Sequence, residues 1–207
     1  MKRYNFIIFG DSITYGAWDH KLGGWVNRLR MVCENSDPDN RYNVFNLGIS
    51  GQITSEILER FDRECIGRIN LDQNNLIIIA IGINDAQVDH GNFKTTPDSF
   101  KENIQHLINK AKSYTSNILF VGLTKVDETK TCPRPTDKNK FYYNKHIEEY
   151  DTYIREICQL NAIDYLYVYD ILERSDLSDG LHPNDIGHQK MSNIIKKKVD
   201  SILENML

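Results

Sequence analysis

The sequence lacks the features that mark several large functional classes. Its four cysteines, Cys33, Cys65, Cys132 and Cys158, are far apart and form no C-x-x-C pair, which argues against a disulfide framework and a zinc site. The longest apolar run, residues 76–83, falls far short of the roughly 20 residues a membrane span needs. The run after Lys2 and Arg3 stops at Gly10-Asp11, too short for a signal-peptide core and without a small-residue cleavage site. There is no G-x-G-x-x-G and no glycine-rich loop ending in Gly-Lys-Ser/Thr, so a nucleotide-phosphate cradle is not indicated. An excess of cationic charge is missing as well. Lys and Arg total 25 against 29 Asp and Glu, a net charge of −4, and only Lys196-Lys197-Lys198 stands out, in a helical pattern that reads as a solvated face. Nucleic acid is therefore not an expected partner.

What is present is an ordinary globular composition, 40% hydrophobic and 26% charged over 207 residues, without repeats, linker or low-complexity tract. The expectation is a single domain over residues 1–207 in a reducing, cytoplasmic setting. Short apolar runs alternate with amphipathic periods. Phe6-Ile7-Ile8-Phe9 reads as a buried strand, and Val26, Leu29 and Val32 as one stripe of a helix that ends at the breakers Asn35-Ser36-Asp37-Pro38. Residues 42–47 form a second strand signal, and Thr54, Ile57, Leu58 and Phe61 restart a helical period. The run 76–81 is apolar throughout, as expected of a central parallel strand buried on both faces. A helix from about Pro97, a strand over 117–121, a helix over 141–160, a strand over 162–169 and a final helix after Pro183 follow. Pro183 suits the first helical position. Residues 122–139 are polar and aperiodic, and read as a functional loop. Five strand signals alternating with helices imply an α/β fold around a mainly parallel sheet.

In such a sheet the strand ends share one edge, and that edge is where ligands bind. Three successive strands end in small and polar residues, at Gly10-Asp11-Ser12, Gly48-Ile49-Ser50-Gly51 and Gly82-Ile83-Asn84-Asp85. A fourth cluster, Asp179-Gly180-Leu181-His182, precedes the last helix. Ser12, held on a tight turn with its hydroxyl exposed, is a candidate nucleophile, and a serine needs a neighbouring base. His182 is the candidate base, and Asp179 can accept from its other ring nitrogen. Gly51 and the Ser12 N–H offer backbone donors to a developing oxyanion, and Asn84 a side-chain donor. Each has a plain structural alternative. Ser12 and Asp11 can cap a helix. The glycines can serve a turn, Asn84 a loop and His182 a packed core. Asp11 and Asp85 read as turn-holding side chains. Asp179, His182, Asp185 and His188 recur every three residues, which invites a metal reading, but Pro183 divides them between loop and helix. His20, His90, His106 and His146 read as surface or packing residues.

Taken in order, Gly10-Asp11-Ser12-Ile13, Gly51, Gly82-Ile83-Asn84-Asp85 and Asp179-Gly180-Leu181-His182-Pro183 resemble the blocks of the SGNH superfamily of GDSL-type esterases and lipases. The resemblance spans nearly the whole chain and implies a flavodoxin-like three-layer αβα sandwich with a five-stranded sheet. It further implies a hydrolase without cofactor or metal, with Ser12 as nucleophile, His182 and Asp179 as base and partner, and Gly51 and Asn84 as oxyanion donors. Gly48 is the second candidate for the glycine. A small-molecule ester, short in its acyl part because the rim reads as neutral and polar without a long apolar lid, is the expected substrate. An acyltransferase or thioesterase using the same residues is the alternative, and a ligand-binding domain of the same fold is a third reading.

Overall fold

The computed structural model describes residues 1–36 and 39–206. Asp37 and Pro38, read above as helix breakers, lie outside the described residues. In chain order the elements are β1 (Arg3–Gly10), α1 (Ser12–Tyr15), α2 (Gly24–Ser36), β2 (Arg41–Gly48), α3 (Thr54–Ile66), β3 (Asn74–Ala80), β4 (Val88–Asp89) and β5 (Asn92–Phe93). There follow α4 (Pro97–Lys112), β6 (Ile118–Val121), α5 (Glu128–Thr131), β7 (Lys140–Phe141), α6 (Asn144–Leu160), β8 (Asp164–Leu166), a 3-10 turn (Arg174–Asp176) and α7 (Asp185–Glu204).

Among the described residues, five strands form a parallel sheet in the order β2-β1-β3-β6-β8. This is the doubly wound, flavodoxin-like order, and its direction reverses between β1 and β3. Helix α2 packs against α7, while α3 meets α4 and α4 meets α6, giving the three-layer αβα sandwich. The core follows from the sequence. Leu76, Ile77, Ile78 and Ile79 of β3 and Phe6 through Phe9 of β1 are wholly enclosed, as strands covered on both faces must be. Phe9 stacks on Phe61 of α3 at 4.5 Å.

A row of small residues shapes the sheet's carboxyl edge. Gly10 lies in register with Gly48 on one side and Ala80 on the other. A side chain at Gly10 would collide with Thr14 Oγ1 and, at 2.5 Å, with Ala80 O; one at Gly48 would collide with the Thr14–Tyr15 backbone. Because both are glycine, the turn of α1 settles directly onto the strand ends, and Ser12 is delivered at the point where the strand order reverses.

Some elements differ from the sequence reading. The helix expected from residue 141 starts at Asn144, because Phe141 is paired in a second, antiparallel sheet of order β5-β4-β7. The strand expected over 162–169 is ordered as a ladder only at Asp164–Leu166. Pro183 is not the first helical residue: Asn184 caps α7, its side chain accepting from the Ile186 and Gly187 N–H groups at 3.0 Å. Nor are residues 122–139 a plain loop. Residues 122–124, 126 and 127 are buried, and the segment is pinned where Leu123 N–H donates to Asp151 Oδ1 (2.7 Å) and Val126 N–H to Asn144 Oδ1 (2.8 Å).

Candidate active site

Four separate loops meet at the carboxyl edge. Ser12 opens α1, and Asp11 caps that turn by accepting from the Ile13 N–H at 2.9 Å. Ser12 Oγ lies 2.9 Å from His182 Nε2. The other ring nitrogen, His182 Nδ1, lies 2.8 Å from Asp179 Oδ2. Asp179 Oδ1 accepts from the backbone N–H groups of Leu181 (3.0 Å) and His182 (2.9 Å), so the carboxylate is wrapped by its own turn. Burial opposes its charge, but the His182 ring and these N–H groups outweigh that, and the Asp179 carboxyl is held well below the usual carboxylate range. An ionised Asp179 makes Nδ1 the protonated ring nitrogen and leaves Nε2 as the acceptor facing the serine. The loop carrying His182 is itself braced: Ser178 N–H donates to His182 O (2.9 Å) and Asp127 N–H to Gly180 O (2.8 Å).

Opposite the serine stand Gly51 and Asn84, and each supports the other's loop. Asn84 Nδ2 donates to Gln52 O at 3.0 Å, and Tyr142 OH donates to Asn84 Oδ1 at 2.8 Å, which fixes which end of the amide faces which way. Asp85 accepts from Thr54 N–H (3.1 Å) and Thr54 Oγ1 (2.6 Å), tying the β3 exit to the start of α3. Asp11 and Asp85 thus hold turns, as the sequence reading expected. Burial raises the pKa of both, that of Asp11 to about 6 against the pull of the Ile13 N–H and the His182 ring. Gly51 sits in the left-handed region at φ +82 with open space beside it, whereas Gly48 is packed under α1 and does not line the cleft.

Ser12, Gly51, Asn84 and His182 line one cleft of about 420 Å³ with Ala17, Trp18, Ser50, Gln87, Lys94, Arg134, Lys140, Tyr142 and Leu181. Asp179 lies behind the imidazole. Of the residues expected at the site, therefore, Ser12, His182, Asp179, Gly51 and Asn84 are gathered in one place. Two expectations need correction. Ser12 is only 8% exposed, because its hydroxyl turns toward the His182 ring instead of standing free. The rim is not neutral: Lys94, Arg134 and Lys140 face it. Neither Tyr142 nor these cations are marked by any motif in the sequence: Lys140 lies on the two-residue β7, and Lys94, Arg134 and Tyr142 lie outside the named elements.

The other members of the three-residue repeat go elsewhere. Asp185 pairs with Lys21. His188 is enclosed, its Nδ1 accepting from Trp25 N–H (3.3 Å) and its Nε2 lying 3.0 Å from Ala17 O. Burial lowers its pKa. Nearby Asp19 receives Arg28 Nε (2.8 Å) and the N–H groups of Lys21, Leu22 and Gly24, and these overcome its burial and hold the carboxyl far below the usual range. Among the described residues no group of three or more His, Cys, Asp or Glu is placed to hold a metal ion. Among the same residues no helix is long and apolar enough to cross a membrane.

Comparison with known proteins agrees with this architecture. The model of the GDSL-like Lipase/Acylhydrolase family matches residues 8–190. The fold is similar to that of a lipase/acylhydrolase from Enterococcus faecalis, at 21% identity and a TM-score of 0.74 over 97% of this chain and 96% of that one. It is also similar to Axe2, an acetylxylan esterase from Geobacillus stearothermophilus, at 17% identity and a TM-score of 0.73 over 96% and 94% of the two chains. A third similar structure is LAE5, an alpha/beta hydrolase from the metagenome of Lake Arreo, at 17% identity and a TM-score of 0.70 over 96% and 95%. No match was found among curated proteins.

Proposed function

The chain belongs to the GDSL-like lipase/acylhydrolase family, a family of esterases and acylhydrolases, and on that premise we propose that it hydrolyses small or short-acyl carboxylic esters through an acyl-enzyme on Ser12. The observation that carries this reading is the continuous relay Ser12 Oγ–His182 Nε2–Asp179, with links of 2.9 and 2.8 Å. Ser12 Oγ attacks the ester carbonyl carbon while its proton passes to His182 Nε2. The charge that forms on the carbonyl oxygen is met by the Ser12 and Gly51 N–H groups and by the Asn84 N–H that is not given to Gln52 O. The C–O bond to the alcohol then breaks, and the imidazolium returns the proton to the departing oxygen. Water enters along the same line: His182 takes one of its protons, the hydroxide oxygen bonds to the acyl carbon, and Ser12 Oγ leaves with the proton restored. Asp179 stabilises the imidazolium in both halves.

Thioester hydrolysis and transfer to an acceptor other than water use the same acyl-enzyme, and analysis of products with added alcohols or sugars separates them. The test of the reading itself is a fluorophosphonate probe with tryptic mapping, alongside hydrolysis of 4-nitrophenyl acetate and butyrate. Label is expected on Ser12, with turnover lost in Ser12→Ala. An unlabelled Ser12, or a Ser12→Ala variant of undiminished rate, overturns it and leaves the fold as a ligand-binding domain.

A further inference from the structure

The cleft has a charge that the chain as a whole does not. The protein carries −4 overall, yet Lys94, Arg134 and Lys140 line the cleft and no carboxylate does so among the described residues. These cations are brought there by structure. Lys94 follows β5, Lys140 lies on β7, and both strands pair with the short β4, so the second sheet is a wall that presents lysines to the site.

The acids nearby do not neutralise that wall. Lys94 Nζ donates to Gly51 O at 3.0 Å and has no carboxylate within ion-pair distance among the described residues. Arg134 lies over the Tyr142 ring, its guanidinium carbon 5.9 Å from the centroid. Its Nη2 is 3.4 Å from Asp179 Oδ2, a long contact to an oxygen that His182 already occupies at 2.8 Å. Lys140 meets Asp137 at 3.2 Å, but both side chains are about a third exposed, and pairs of that kind are weak and easily exchanged. Asp89, opposite Lys140 in the ladder, is turned to His90 Nδ1 at 2.7 Å. Like charges gathered in a cleft with low-dielectric walls concentrate their field there. A guanidinium also offers a fork of donors matched to two oxygens of one anion.

We propose that the ester cleaved at Ser12 carries an anionic group, a carboxylate or phosphate, near the scissile bond, and that Lys94, Arg134 and Lys140 receive it. This rests on the esterase reading above and names its substrate class. With the carbonyl over Ser12, the anion lies toward the wall formed by β4, β5 and β7. Trp18, 47% exposed at the cleft, covers part of its lining with an aromatic surface.

The test compares matched esters, each rate corrected for uncatalysed hydrolysis. With the anion on the acyl side, 4-nitrophenyl hemiadipate is set against its methyl ester. With the anion on the alcohol side, 4-acetoxybenzoate and 4-acetoxyphenyl phosphate are set against methyl 4-acetoxybenzoate. At least one anionic ester is expected to exceed its neutral partner about tenfold or more in kcat/KM at low salt, with the advantage shrinking as screening rises. The arm that responds identifies the anion and its side of the ester. Lys94→Gln, Arg134→Gln and Lys140→Gln are each expected to lower the anionic-to-neutral ratio, mainly through KM, and the triple variant to bring it near one. Equal rates for every pair in the unaltered protein, or a ratio untouched by the triple variant, overturn the proposal. Neutral esters hydrolysed with label on Ser12 would then leave the esterase standing. Absence of both label and turnover removes the esterase reading itself.

Discussion

His182 and His188 belong to one stretch of chain and are both nearly enclosed, yet their rings are employed differently. The nitrogens of His188 meet backbone groups, the Trp25 N–H and the Ala17 carbonyl, neither of which can change its protonation. The acid in its neighbourhood, Asp19, is taken up by Arg28 and three N–H groups. That ring is a strut joining α7 to the α1–α2 connection. His182 instead meets two side chains, a hydroxyl and a carboxylate, and the hydroxyl borders the cleft. Two enclosed imidazoles six residues apart are thus separated by their partners: side chains for His182, backbone groups for His188.

The comparison is broken most severely by Asp179→Asn. The amide cannot hold the required tautomer, so kcat on 4-nitrophenyl acetate is expected to fall about 10⁴-fold with little change in folding. Next comes Arg28→Ala in the other network. It leaves the Asp19 charge buried without its partner and is expected to lower the unfolding free energy by about 3–5 kcal/mol, read by urea titration, while kcat per folded molecule is retained.

A third variant, Asp11→Asn, acts through pH. The pKa of Asp11 rises from 3.8 to about 6 in the folded chain. The stability gained by binding that proton is therefore fully present below pH 3.8 and lost as pH rises through about 6. Beyond that the buried charge costs about 3 kcal/mol. Asp11→Asn, whose amide oxygen still accepts from Ile13, is expected to flatten the stability profile between those values and to gain up to about 3 kcal/mol at pH 8 in urea unfolding. A wild-type profile that is flat across that window defeats this reading. The smallest effect is expected from Tyr142→Phe. Loss of one neutral hydrogen bond to Asn84 Oδ1, worth about 1 kcal/mol, lowers kcat about five-fold and leaves KM nearly unchanged.

The parts of the fold and site that could be read from sequence are those that local physics forces. The unbroken apolar run of β3 marks a strand covered on both faces, and the glycines that close β1 and β2 mark the sheet's carboxyl edge, because only they permit the close approach seen at Gly10 and Gly48. The Asp179-Gly180-Leu181-His182 turn was legible for the same reason, since the carboxylate bonds the backbone of its own turn. The cationic wall was not legible. β4, β5 and β7 are two-residue strands, too short to show a period, and Lys94, Arg134 and Lys140 come together only through their pairing and the fold of the intervening chain. The same shortness hides the strand at Phe141, whose apolar side chain extends in sequence a helical pattern that begins only at Asn144. The Tyr142–Asn84 bond joins residues 58 positions apart and leaves no local trace.

Ser12 and His182 stand 170 residues apart, one at the exit of the first strand and the other just ahead of the last helix. No local turn or helix can hold the two together, so their 2.9 Å approach depends on the assembly of the whole sheet between them. A break in the chain anywhere between them leaves that contact to the packing of the two fragments alone.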